Sequence, residues 1–197
     1  MGKSTVGEMM AKLEVPVHSA DAAVHELYAA GGAAVGPVAE LFPGVLGADG
    51  AIDRAALGQK VLGQPEAMAR LEAVVHPLVT QHKVTWLQAR EQEPLVVLDV
   101  PLMYETGAEA MCDAVAVVSA SAEQQRERVL ARPGASEHKL DAVLARQVPD
   151  AEKRRRADVV IDTGCSLAET EAHVAALVEE LRGRTDGTAW ARATQGA

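Results

Sequence analysis

The apolar positions of this chain fall into two kinds of run. Four are short, rich in leucine or β-branched residues and bounded by polar or turn residues: 15–17, 95–100, 114–118 and 159–161. Apolar runs of this length predict strands buried on both faces. The remaining apolar residues recur at helical spacing. Val6, Met9, Met10 and Leu13 mark one amphipathic helix, and further patterns predict helices over 22–29, 54–62 and 65–75, the last ending at His76-Pro77. Strands alternating with helices imply an α/β fold, with parallel βαβ units, right-handed crossovers and a sheet sandwiched by helices. Ligands of such sheets bind at the carboxyl ends of the strands. The chain puts Asp21, Asp99 with Pro101, Ser119 to Ser121, and Asp162-Thr163-Gly164 at those ends.

Two segments interrupt the alternation. Between the first and second strand runs, Gly31-Gly32, Phe42-Pro43-Gly44, Asp49-Gly50 and Gln64-Pro65 read as turns between helices. This predicts a helical insertion over about 30–92. A second insertion, charged and helical, covers about 122–156, with turns at Pro133-Gly134 and Pro149-Asp150. Residues 183–197 are mostly Gly, Thr and Ala with one Trp and no periodicity, which predicts a disordered tail after a single domain spanning 1–182. No internal repeat is present.

Composition narrows the function. At 197 residues and 48% hydrophobic the chain can bury one substantial core. A net charge of −9 argues against broad nucleic-acid binding, because neutralising phosphates takes a basic surface, so any anion site must be local. No apolar run approaches the ~18 residues of a membrane span, and the start lacks the charged-then-apolar pattern of a signal peptide. The expected location is the cytoplasm. Cys112 and Cys165 lie far apart without paired-ligand spacing, which suggests reduced thiols rather than a zinc site or a disulfide.

Local anion chemistry is written at the start, Gly2-Lys3-Ser4-Thr5. These residues match the closing half of a phosphate-binding loop, Gly-x4-Gly-Lys-Ser/Thr. In such a loop backbone N–H groups curl around phosphates, the lysine reaches the β/γ oxygens and the hydroxyl binds Mg²⁺. The helix carrying Val6 to Leu13 would then present its N-terminus to the anion. Arg126, Arg128 and Arg132 at helical spacing, and Lys153 through Arg156, concentrate cations in the second insertion. They read either as a lid over transferred phosphate or as a solvated face. Asp21 reads as a base for an acceptor hydroxyl or as the N-cap of the helix after it. Asp99 stands near Mg²⁺ or caps a turn before Pro101. His76 reads as a dipole partner at a helix C-terminus, and His25 and His82 have no spacing that would make them metal ligands.

Taken in order, these segments resemble the dephospho-CoA kinases. The likeness covers about residues 1–181. It is carried by Gly2 to Thr5; Val15-Pro16-Val17, Ala20-Asp21 and Val24 to Leu27; Gly50 and Asp53-Arg54; Leu71-Glu72 and His76-Pro77; and Leu98 to Leu102 with Glu105. Gln125, Arg128, Arg132, Arg146-Gln147, Glu152 to Arg154, Ala157-Asp158 and Val160 to Asp162 complete it. The resemblance implies a P-loop fold of three parts: a nucleotide core, a helical region holding dephospho-CoA, and a lid over ATP. It further implies that Gly2, Lys3, Ser4 and Thr5 hold the nucleotide, with Ser4 on Mg²⁺. Asp21 would take or orient the proton of the ribose 3′-hydroxyl, and Arg128 and Arg132 would stabilise charge on the transferred group. His76, Pro77 and Asp99 would lie on the substrate side. No oligomeric state is implied.

Two departures accompany the likeness. Ser19-Ala20-Asp21 stands where the family has Asp-Ala-Asp, which removes the first acid from any metal role. The family's first strand and opening glycines would precede Met1, that strand lying mid-sheet between the runs at Leu95 and Ala114. The expectation is therefore an upstream segment of about ten residues, a strand entering a Gly-rich turn. Without it two neighbours lose ladder partners, at roughly 1–3 kcal/mol per buried unpaired group. The alternatives are another small-molecule P-loop kinase, acting on a nucleoside, nucleotide or sugar acid, and a non-catalytic nucleotide-binding remnant.

Overall fold

A computed structural model describes residues 2–131, 134–145, 147–184 and 187–194, with 191 and 192 as backbone only. In chain order the elements are α1 (Lys3–Lys12), β1 (Val17–Ser19), α2 (Ala20–Tyr28), α3 (Val35–Leu41), α4 (Arg54–Val61), α5 (Pro65–Gln88) and β2 (Val97–Asp99). They continue with α6 (Met103–Thr106), a 3₁₀ turn (Ala108–Met111), β3 (Ala116–Ser119), α7 (Ala122–Leu130), α8 (Glu137–Leu144), α9 (Asp150–Arg156), β4 (Val159–Asp162), α10 (Leu167–Arg182) and α11 (Ala189–Thr194). The chain divides into two compact units, Met1–Val17 with Gln92–Ala193 and His18–Glu91 with Thr194–Ala197.

The first unit carries the strands. β3 and β4 are parallel, in a register that sets Val117 against Val160 and Val118 against Ile161. β1, which begins in this unit at Val17, pairs with β2, and just before it Pro16 O accepts from Val97 N–H at 2.9 Å. No ladder joins β2 to β3 among the described residues, so the strands form two pairs rather than one continuous sheet. The core packs Val6, Met9 and Met10 of α1 with Val15, Ile161, and Val174, Leu177 and Val178 of α10. This is the apolar stripe read at the start of the sequence. Arg182 ties the ends of the two helices together, donating to Leu13 O at 2.7 Å.

Three expectations shift here. β1 lies two residues beyond the predicted run: Val15 is buried, but Pro16 has no N–H to give a ladder, and pairing takes hold only from Val17. The strand run at 95–100 shortens to Val97–Asp99. Within the segment expected to be disordered after Arg182, residues Ala189–Thr194 form α11. Asp113 Oδ1 accepts from the N–H groups of Thr188 and Ala189 at 2.6 and 2.7 Å, which fixes the start of this helix, and Ala189 and Ala193 are buried.

The second unit is helical. α5 gathers α2, α3 and α4 around it, and Leu27, Val38, Phe42, Val45, Ile52, Leu57, Leu71 and Val75 form its core. Asp53 caps α4, accepting from Ala55 N and Ala56 N at 2.9 and 3.0 Å. α5 does not end at Val75. It runs on through Pro77 to Gln88, placing Val84 and Leu87 in the core beyond the proline. His76 is therefore mid-helix, and its expected role at a helix C-terminus is withdrawn.

Candidate functional site

The first unit assembles a phosphate-type start. Gly2 takes φ +84°, a left-handed conformation that a side chain would strain, and turns the chain directly into α1. Val6 N–H closes the first helical bond on Gly2 O at 2.9 Å. Among the described residues no side chain caps this helix. Its first N–H groups thus keep their donors for an anion, with Lys3 in the first position and the exposed hydroxyls of Ser4 and Thr5 beside it. Lys3 Nζ donates to Asp99 Oδ1, pairing the loop lysine with the last residue of β2. Lys3 and Asp99, expected in different roles, are thus direct partners.

The loop after β4 packs against this start. Thr163 is buried, donating from its N–H and its Oγ1 to Ser119 O at 2.8 and 3.0 Å. A Cβ on Gly2 would lie 3.4 Å from Thr163 Cγ2. Arg128, on α7, donates from Nη2 to Thr163 O at 2.8 Å and from Nη1 to Thr163 Oγ1 at 3.4 Å. One turn earlier Gln124 Nε2 donates to Gly164 O at 3.0 Å. Gln124 also closes a capping box with Ser121, which sets where α7 begins. Arg132 and Arg146 lie outside the described residues.

The other cations of the second insertion are largely matched by acids. Arg126 meets Glu137 and, at 3.6 Å, Asp141. Lys153 meets Glu105 at 2.9 Å, Arg155 meets Glu152 at 2.8 Å, and Arg156 meets Glu109 while lying 4.2 Å over the Tyr104 ring. Glu105 titrates below the usual carboxylate range: its burial opposes this, but bonds from Lys153 and from Val148 N–H at 2.8 Å outweigh it. Lys153 and Arg156 thus tie α9 to Glu105 and Glu109.

The second unit holds a groove of about 260 Å³ lined by Ala20, Asp21, Val24, Tyr28, Leu71, Glu72, Val75, His76 and Val79. Its walls are apolar, with Asp21, Tyr28, Glu72 and His76 as polar points. Burial pushes the Tyr28 hydroxyl up in pKa, against the opposing pull of Arg54. Asp21 is not the N-cap: Ser19 caps α2, accepting from Ala22 N–H at 3.3 Å, and leaves Asp21 exposed in the first turn. Asp21 and His76 come together here, whereas Pro77 is not on the groove wall. Tyr28 escaped the sequence reading, and Glu72 entered it only as part of the family likeness, although it precedes His76 by one helical turn and so shares its face.

A second polar cluster in this unit was likewise missed. His18 is buried, with Nε2 3.2 Å from His82 Nδ1, and His82 Nε2 is 3.1 Å from Glu26 Oε2. The Trp86 ring stands edge-on to His18 at 5.3 Å, and Arg90 stacks on Trp86 at 4.2 Å.

Among the described residues no group of three or more His, Cys, Asp or Glu could hold a metal ion, and no helix is long and apolar enough to cross a membrane.

Known proteins supply the remaining comparison. The family model for dephospho-CoA kinase matches residues 1–169. The dephospho-CoA kinase of Mesorhizobium japonicum is 51% identical over 186 residues, 93% of each chain. That of Novosphingobium aromaticivorans is 50% identical over 182 residues, 92% of this chain and 90% of its own. A crystal structure from Thermus thermophilus superposes with a TM-score of 0.73 at 35% identity, covering 91% of this chain and 92% of that one. The dephospho-CoA kinase from Campylobacter jejuni has the same fold, with a TM-score of 0.67 at 24% identity.

Proposed function

Because the chain belongs to the dephospho-CoA kinase family, we infer that it transfers the γ-phosphoryl group of ATP to the ribose 3′-hydroxyl of dephospho-CoA, giving coenzyme A. The observation that carries this reading is the uncapped start of α1 behind a left-handed Gly2, with Lys3 in its first turn. Phosphoryl transfer asks little covalent chemistry of the protein, and most of the rate comes from positioning and charge. Backbone N–H groups of residues 2–5 cradle the phosphates, and Lys3 leaves Asp99 to neutralise the β/γ oxygens. Asp99 thereby keeps the lysine extended between turnovers.

The donor set also suits Mg²⁺, which prefers hard oxygen ligands and retains several waters. The Ser4 hydroxyl would hold it, with Asp99 acting through water once Lys3 has moved. When bound, the ion neutralises charge on the phosphates. Asp21 orients the 3′-hydroxyl and accepts its proton, while His76 and Pro77 belong to the helical substrate region, about residues 30–92. The segment of about 122–156 acts as the lid. A soluble enzyme of the cytoplasm, without nucleic-acid partners, fits the acidic charge.

The test is ATP-dependent conversion of dephospho-CoA to coenzyme A by the purified protein and by Lys3→Ala. Losing a positioned electrostatic contact commonly costs on the order of 10²–10³ in rate. Full turnover by Lys3→Ala would remove the phosphate-loop assignment. Phosphorylation of a nucleotide or sugar acid in place of dephospho-CoA would remove the substrate.

A further inference from the structure

The family likeness assigns Arg128 to the transferred phosphoryl group, but its guanidinium is engaged elsewhere. Its two terminal nitrogens grip one residue, Thr163, at the carbonyl (2.8 Å) and the hydroxyl (3.4 Å). Gln124 grips the next carbonyl, Gly164 O, at 3.0 Å. α7 therefore holds two successive carbonyls of the loop that leaves β4. That loop flanks the phosphate-binding start: a Cβ on Gly2 would meet the methyl and hydroxyl of Thr163 at 3.4 and 3.5 Å, and both the N–H and the hydroxyl of Thr163 are bound to Ser119 O. Gly164 permits the closure. A Cβ there would stand 2.8 Å from Gln124 Oε1 and 3.0 Å from Asp162 Oδ1, so any side chain would force the Gln124 carboxamide out of its present position.

We propose that Arg128 is a positioning residue. It acts through Thr163 to fix the loop that flanks Gly2, and so pre-forms the nucleotide loop rather than donating to the transferred group. This deepens the kinase reading and rests on it. The planar fork of arginine matters here, because a lysine ammonium carries the same charge but cannot bridge carbonyl and hydroxyl in one fixed geometry. A role in charge and a role in geometry therefore separate in the lysine variant.

The experiment compares wild type, Arg128→Lys, Arg128→Ala and Gln124→Ala. Hydrogen exchange is measured at Thr163 and Gly164 without nucleotide, and steady-state kinetics are measured with ATP as the varied substrate. A hydrogen bond from a charged donor is worth enough to shift an equilibrium roughly tenfold or more. Both Arg128 variants should therefore speed exchange at these amides about tenfold and raise KM for ATP by a similar factor, with kcat held within a few-fold. Gln124→Ala should repeat the pattern more weakly. Unchanged exchange in Arg128→Ala would overturn the proposal. So would a kcat loss of about 100-fold at constant KM that lysine largely restores, since that pattern belongs to a charge acting on the transferred group. The exchange arm needs no turnover, so it stands or falls separately from the kinase assignment, which fails only if the wild-type protein makes no coenzyme A.

Discussion

Ser19 and Asp21 sit two residues apart, and the division of labour between them decides how a rate change at Asp21 is read. The sequence left Asp21 open as base or cap, because the strand was expected to end at residue 17. The strand instead runs to Ser19, so the cap is the serine that replaces the family's first acid. Asp21 is thus released from the structural role, retaining only its favourable place near the positive end of α2. Asp21→Asn should then cost at most about 1 kcal/mol of stability while lowering turnover about 10²-fold or more. Ser19→Ala should cost about 0.5–2 kcal/mol with turnover within a few-fold. Thermal melts and initial rates on both variants decide it. A near-normal rate in Asp21→Asn would strip Asp21 of its role as base.

Among the elements, α5 was legible at its start, where Pro65 occupies the first turn, and illegible at its end. Proline inside a helix costs about 3 kcal/mol or more, so stopping at His76-Pro77 was the local answer. Burial overrules it. Val84 and Leu87 lie beyond the proline and are almost fully covered, and each large apolar side chain buried is worth about 1.5–3 kcal/mol. The continuation also brings His82 and Trp86 to His18, a juxtaposition no spacing in the sequence announces, since the partners are 64 residues apart. Burial foremost, then the neighbouring His82 and Lys83, pushes His18 down to about 4, with Glu26 pulling the other way and Arg90 adding to the fall. The native state therefore resists a proton that the unfolded chain accepts near the ordinary histidine value of 6.5. The stabilising effect is whole above that value and is lost as pH falls toward about 4, with a slope nearing 1.4 kcal/mol per pH unit. Urea unfolding at pH 7 and pH 5 should show this loss in the wild type and a markedly smaller one in His18→Phe. Equal losses in the two proteins would exclude His18 as the source.

On the scale of the whole molecule, the alternation of strands and helices was readable because each run is long enough to hold its period. The division into two units was only half readable. The insertion over about 30–92 was visible as a gap too long for one crossover, but the unit begins at His18, inside β1, where nothing in the local pattern marks a boundary. The site divided in the same way. Lys3, Ser4 and Asp21 were legible as motif residues. Thr163 was legible only as a turn, and its link to Arg128, 35 residues away, is a product of the fold. Each unit has its own apolar centre, with Leu177 in one and Leu57 in the other, both nearly fully buried. Truncating a buried leucine to alanine costs about 2–5 kcal/mol through lost burial and the cavity left behind. Local opening follows the contacts that are lost. Leu177→Ala should therefore speed hydrogen exchange first in α1 and α10 and weaken ATP binding. Leu57→Ala should speed exchange first in α2 to α5 and raise KM for dephospho-CoA. Mass-resolved exchange on both variants, with the two kinetic constants alongside, tests the assignment of nucleotide to the strand-bearing unit and acceptor to the helical one. Exchange and kinetics that respond identically to the two substitutions would refute it.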